Sequence, residues 1–227
     1  MAGLLRLPDV DAQIPGLCAR AEHERNLNIK GFNVPLLRSM QIRGAVAEGE
    51  RGEAVFVPPA GTNGFFTTPV PVPGGLLGID FPIPGNSVLA ITELAGPASA
   101  IKFDFSDLSI SIPVKVRLVN VLLGMDCHIG TNSSPVNLHL IVGATSPPPP
   151  NRPISGRVGT IVEAPPADIA LRGNVNVENS FAVPGASRCG LGLGLINTLV
   201  NLKLGLPSAA GNNSIEVTND VAIRNRP

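Results

Sequence analysis

The sequence predicts an all-β protein, a β-sandwich or β-rich barrel with one short C-terminal helix. Three observations predict it. Ile110, Ile112, Val114, Val116 and Leu118 alternate with Ser109, Ser111, Pro113, Lys115 and Arg117, the period of a strand with one apolar face. Turn formers punctuate the chain throughout, with 25 Gly and 23 Pro in 227 residues. One segment alone, Leu195–Leu204, has helical spacing, with Leu195, Ile196, Leu199 and Val200 on one stripe.

The elements follow in order. Residues 1–30 read as an irregular segment, with one helical turn over Leu17–Arg25 on propensity. Strands are expected around Ser39–Ala47 and Glu53–Val57, joined by a hairpin loop at EGERG where glycine supplies the positive φ. Proline alternates with Ile in FPIPGN and with Val in TPVPVP. Proline donates no ladder bond, so the latter is an edge strand or an extended surface strip. Residues 58–86 form a long ordered loop, because Phe65, Phe66, Phe81 and Ile83 need burial. Phe103 and Phe105 stand in the opposite parity to the strand after them, so a turn or bulge near Asp107 resets the phase.

Val136, Leu138 and Leu140 mark the next strand, alternating with Asn137, His139 and Ile141. The run SPPPPNRP at 146–153 is a Pro-rich loop within a single β-rich domain, 1–227, since similar β patterns lie on both sides. Strands resume at Ile154–Val162, Asp168–Leu171 and Val175–Val177. The helix ends on Gly205, with Pro207 beyond it. A final strand, Ser214–Ile223, alternates Ile215, Val217 and Val221 imperfectly.

Composition excludes several functions. Lys plus Arg and Asp plus Glu number 17 each, so no basic footprint for nucleic acid exists. No apolar run approaches the ~18 residues of a membrane helix. Tyr and Trp are absent, which disfavours the aromatic girdles of a membrane barrel. Charged residues make up 15% of the chain, against about 25% in ordinary domains. Either Asn, Ser, Thr and Gly supply the polar surface, or part of that surface is covered in an oligomer, a fibre or a cell envelope. Met1–Pro8 holds no long apolar stretch of the kind a signal peptide carries, so the chain reads as a mature form with an added start methionine or as a cytosolic protein.

The cysteines are Cys18, Cys127 and Cys189, with no C-x-x-C pair. A Cys127–Cys189 disulfide is favoured because both residues lie beside glycine in turn-like contexts. It closes a loop of about 60 residues and contributes roughly 4 kcal/mol in the chain-entropy picture. Three buried free thiols are the alternative.

No constellation reads as catalytic, metal-binding or cofactor-binding, and no cofactor is expected. The histidines are His23, His128 and His139, and a metal needs three or four converging ligands. Cys127 and His128 are adjacent on a strand and point to opposite faces. There is no G-x-S-x-G elbow. Ser187 near Cys189, or Cys189 with His128, would be a nucleophile pair only if the fold joined them. Asp104, Asp107 and Asp126 flank the best strand, but a sugar site would lack a Trp or Tyr platform. GLGLGL at 190–195 misses the third glycine of a phosphate loop. Asn132-Ser133-Ser134 and Asn212-Asn213-Ser214 match the glycosylation pattern and read as turns.

The segments CHIGTNSSPVNLHLIVGATSPPPPNRPISG, NSFAVPGASRCG and LINTLVNLKLGLPSAAGNN resemble secreted or cell-envelope proteins of actinobacteria with no assigned activity. The resemblance spans about residues 100–223. It implies export, a Cys127–Cys189 disulfide and a β-rich fold, and it carries no catalytic residue. Such proteins begin with a signal peptide, which residues 1–8 do not display, so export is inferred.

Two functions are expected from these readings. The first is a non-enzymatic extracellular structural protein, a self-assembling surface or fibre subunit whose partner is itself. The second is a secreted binding module for a lipid or other apolar ligand. A hydrolase with an unrecognised site stands behind both.

Overall fold

The computed structural model describes residues 16–23, 25–29, 32–36, 40–50, 53–77, 84–164, 167–190 and 194–224. Phe81 and Ile83, whose burial the sequence led us to expect, lie outside them. The described chain forms two antiparallel sheets that face each other as a β-sandwich. Neither closes into a barrel.

Sheet A is built on β16 (Asn213–Arg224). One flank pairs with β14 (Ala167–Glu178) and, through it, with edge strand β13 (Thr160–Ala164). The other flank pairs first with β1 (Gly16–His23) and then with β2 (Arg25–Ile29), which turns back as β3 (Phe32–Leu36). Beyond β1 lies β4 (Met40–Glu48), flanked by β5 (Ala54–Val57) and β6 (Phe65–Thr67).

Sheet B is built on β10 (Ser109–Val119). At roughly 3.3 Å per residue this strand runs the length of the sandwich. One flank carries β9 (Lys102–Asp104) and then β8 (Leu89–Leu94), with β7 (Val70–Pro71) outermost. The other carries β12 (Val136–Leu140) and then β11 (His128–Ile129), which pairs with β15 (Ala186–Ser187). Helix α1 (Leu195–Leu204) ends on Gly205 in the left-handed region, φ 65°.

The expected strands fall largely where the alternation placed them. Ile112 and Val114 of β10 lie beside Leu138 and Val136 of the neighbouring β12, and with Leu118 and Leu140 they turn into one core. The phase reset before β10 is a four-residue hairpin loop, Phe105–Leu108, which brings Phe103 opposite Ile110. TPVPVP contributes an edge strand, with Val70 buried and Pro71 exposed.

Four expectations are corrected. Residues 16–23 and 25–29 are strands, so β1 and β2 stand where the helical turn over Leu17–Arg25 was expected. β1 lies between β16 and β4 and is laddered on both sides, and two ladders outweigh a propensity of tenths of a kcal/mol per residue. Asp168–Leu171 and Val175–Val177 belong to one strand, interrupted by a register shift at Gly173, φ 67°. Ile154–Val162 is not continuous: Ser155 and Arg157 make isolated bridges before β13 begins. The helical stripe divides, since Val200 and Leu204 are buried while Leu195 and Leu199 are exposed.

The Pro-rich loop is fastened to the body. Asn151 Nδ2 donates to the carbonyls of Asn179 at 2.9 Å and Asn213 at 2.7 Å, and Asn151 N–H donates to Gly211 O.

Candidate functional site

The inner face of sheet A follows from alternation on β16. Ile215, Val217, Asn219, Val221 and Ile223 share that face, as residues two apart on a strand must. The first two belong to the apolar core. β14 adds Ile169 and Leu171, opposite Ile223 and Val221, and then Asn174 opposite Asn219. The register shift at Gly173 puts Leu171 and Asn174 on one face although they are three residues apart. Asp220 buttresses it, its carboxylate accepting Gly173 N–H at 2.7 Å and Arg172 Nη1 at 2.6 Å.

A belt of amides therefore crosses an otherwise apolar face. On one side of it lies the core between the sheets. On the other, sheet A extends beyond the cover of sheet B, and its apolar residues line an open groove. The hairpin residues Phe103, Phe105 and Leu108 form the opposite wall. Ile161 of β13 is 70% exposed there, and Phe105 and Ile169 about half exposed.

Three adjoining cavities run through this structure. The groove holds about 180 Å³, a middle cavity about 60 Å³, and an inner one between the sheets about 100 Å³. Ile110 and Asn219 are common to the walls of the groove and the middle cavity. Met40, Val114, Leu138 and Ile215 are common to those of the middle and inner cavities. Asp104 is the one charged residue among the described residues of the three walls. Its carboxylate is occupied by the hydroxyl and N–H of Ser106, which hold it below its ordinary pKa.

The amide belt has a determined orientation. Asn176 Nδ2 reaches the carbonyls of Leu108 at 3.2 Å and Leu140 at 3.4 Å, so its Oδ1 must face the other way. That oxygen accepts Asn174 Nδ2 at 2.6 Å and Asn219 Nδ2 at 2.8 Å. Asn174 Oδ1 accepts Gly159 N–H at 3.3 Å. Asn219 Oδ1 is left buried, with no protein donor.

The sequence-singled residues lie elsewhere. Cys127 and Cys189 are joined by a disulfide, fully buried, with Cα atoms 4.2 Å apart. Cys189 is thus no nucleophile for His128. His128 and Ser187 are opposed across β11 and β15, but the buried Ser187 Oγ makes no hydrogen bond, so no nucleophile–base pair forms. His128 instead joins an ion-pair group. Glu93 lies 2.6 Å from Arg117 Nε, 3.4 Å from His128 Nε2 and 3.6 Å from Lys115 Nζ. Burial works to raise the Glu93 pKa and is the largest single influence. The Arg117 hydrogen bond and the three neighbouring cations together outweigh it and hold the carboxyl below its ordinary value.

Asp126 pairs with Arg188 at 2.9 Å, which lowers its pKa. Asp107 accepts Ser109 N–H, so it and Asp104 hold the β9–β10 turn, while Asp126 lies past the far end of β10. His139 Nδ1 meets Ser111 Oγ at 2.8 Å on the exposed face. Cys18 lies in β1, in register with Ala222 and Arg43. Among the described residues no group of three His, Cys, Asp or Glu could hold a metal, and no helix is long and apolar enough to cross a membrane.

The amide belt escaped the sequence reading. Its signal was present as the break in the β16 alternation at Asn219 and as the N-V-N-V run of β14, whose asparagines face inward.

The chain matches no protein-family model, no curated protein and no solved structure. Function must therefore be argued from geometry.

Proposed function

We propose that the chain is a non-enzymatic, exported binding module that takes an apolar ligand between its sheets. The carrying observation is the row of three adjoining cavities that opens at the groove and shares walls into the core. Apolar pockets with a few placed polar groups are the common form of small-molecule site. The buried disulfide supports an oxidising compartment, in keeping with the resemblance to actinobacterial envelope proteins. Titration with the neutral fluorophore Nile red tests the reading. Saturable, single-site binding is expected, weakened at least tenfold by Ile223→Trp, which narrows the groove. Unsaturable binding, or equal binding by the folded variant, would overturn it.

A second reading, a self-assembling surface or fibre subunit, rests on a separate feature. Helix α1 turns Leu195, Leu199 and Leu202 outward, 74, 60 and 80% exposed. The loop tied to the disulfide region by the Gly190 N–H to Leu123 O bond adds Val121 and Met125, 87 and 89% exposed. Light scattering over a hundredfold concentration range tests it. Growth in mass that Leu199→Glu abolishes supports assembly, and a constant monomer mass rejects it.

A further inference from the structure

We infer that the ligand of the cleft is a neutral amphiphile carrying a hydrogen-bond donor, a hydroxyl or amide N–H, and that Asn219 Oδ1 accepts that donor. The inference rests on the apolar-ligand reading above and specifies its chemistry.

Asn219 is only 7% exposed, yet it belongs to the walls of both the groove and the middle cavity. Its orientation is not free to reverse. Asn176 Nδ2 is committed to two backbone carbonyls, so Asn176 Oδ1 must receive the Asn219 amide nitrogen. The carbonyl oxygen of Asn219 is consequently turned away from Asn176 Oδ1, buried, in a side chain that borders the groove and the middle cavity. A buried acceptor without a donor is costly, and native interiors seldom leave one unexplained. Five buried side-chain polar atoms among the described residues lack partners: those of Arg43, Asn179, Ser187, Thr218 and Asn219. Asn219 alone among these residues lines any of the three cavities.

The acceptor selects the ligand. An amide oxygen takes a donor and repels an anion. Among the described residues the walls hold no Lys, Arg or His, and their single charge is the carboxylate of Asp104. A fatty-acid carboxylate or a phosphate headgroup would meet no counter-charge and an oxygen facing it. A cation would leave water for an apolar wall, since the neighbouring buried carboxylate of Asp220 falls on the opposite face of the strand and is engaged by Arg172 and Gly173. A long-chain alcohol or an amide-linked lipid fits both constraints, its donor at the belt and its chain along the groove or between the sheets.

The experiment compares three probes built on a 12-carbon chain as competitors of Nile red: dodecan-1-ol, its methyl ether and dodecanoate. The alcohol and ether have similar chains and differ in the donor. The alcohol is expected to bind about tenfold tighter than the ether, with dodecanoate weakest. Asn219→Leu should bind alcohol and ether equally. The wild-type ratio needs no variant, so it stands if Asn219→Leu fails to fold. A second readout is the side-chain carbonyl ¹³C resonance of Asn219, expected to shift with alcohol and not with ether. Equal affinity of the wild type for alcohol and ether overturns the donor inference and leaves the apolar cleft standing. Absence of saturable binding by any probe, Nile red included, overturns both.

Discussion

The two ends of β10 show opposite treatments of the same apolar surface. At the Val119 end sheet B is fastened to itself and to helix α1. Cys127 and Cys189 are bonded, Leu118 N–H donates to Cys127 O, and the helix is fastened by two asparagines: Cys189 N–H donates to Asn197 Oδ1 and Ala186 N–H to Asn201 Oδ1. At the Ser109 end the described residues carry no disulfide, and the sheets meet through hydrogen bonds alone, Ile141 with Val177 and Asn176 Nδ2 to the carbonyls of Leu108 and Leu140. Sheet A simply continues past its cover, leaving Ile161 and Ile169 in solvent above a belt of amides. A sandwich needs its inner faces covered for stability. The fastened end buries its apolar residues, and the groove at the other end, where the apolar face is left uncovered, is where a ligand can enter.

This contrast can be broken from either end. The largest effect should come from the staple. Cys127→Ser with Cys189→Ser releases a 62-residue separation and should cost about 4 kcal/mol, roughly 10 °C of melting temperature at this size. A calorimetric midpoint within a degree or two of wild type would show that the end is held by packing alone.

Next comes the boundary between the two regions. Asn176→Ala strands the amide donors of Asn174 and Asn219 and the carbonyls of Leu108 and Leu140. At about 1–3 kcal/mol for each group that water cannot reach, a total near 3 kcal/mol is expected by urea unfolding. A neutral result would mean that the belt is solvated.

A smaller effect tests the electrostatics of the fastened end. Folding lowers the Glu93 pKa. Its contribution is therefore complete above the unfolded value of about 4.3 and fades as pH falls through that value toward the folded one. Glu93→Gln should flatten the acid limb of the stability curve by less than about 1 kcal/mol. An unchanged acid limb would show the ion pairs to be idle.

The smallest stability effect belongs to the open rim. Ile161→Ser should change unfolding free energy by no more than about 0.5 kcal/mol while weakening Nile red binding severalfold. A large loss of stability would mean that the rim is a packed core and no entrance.

Much of this fold was legible in the residues. The alternation of β10 and β12, the proline edge at Val70–Pro71, the helix end at Gly205 and the cysteine pairing all came from local pattern. What failed did so for physical reasons. Residues 17–25 have helical propensity, but laddering on both flanks is a long-range gain that a local window cannot weigh. Leu195 and Leu199 sit on a proper helical stripe, yet only packing decides which half of it meets the core.

The amide belt marks the same boundary. Alternation by itself determines that Asn219 shares a face with Ile215, Val217, Val221 and Ile223, because side chains two apart on a strand must. Whether that face is wet, buried or an entrance was decided only when sheet B ended short of sheet A. The register shift at Gly173 then carried Asn174 and Asn176 to the same side. Strand period is a property of neighbouring bonds, whereas the extent of one sheet over another depends on contacts between residues far apart in the chain.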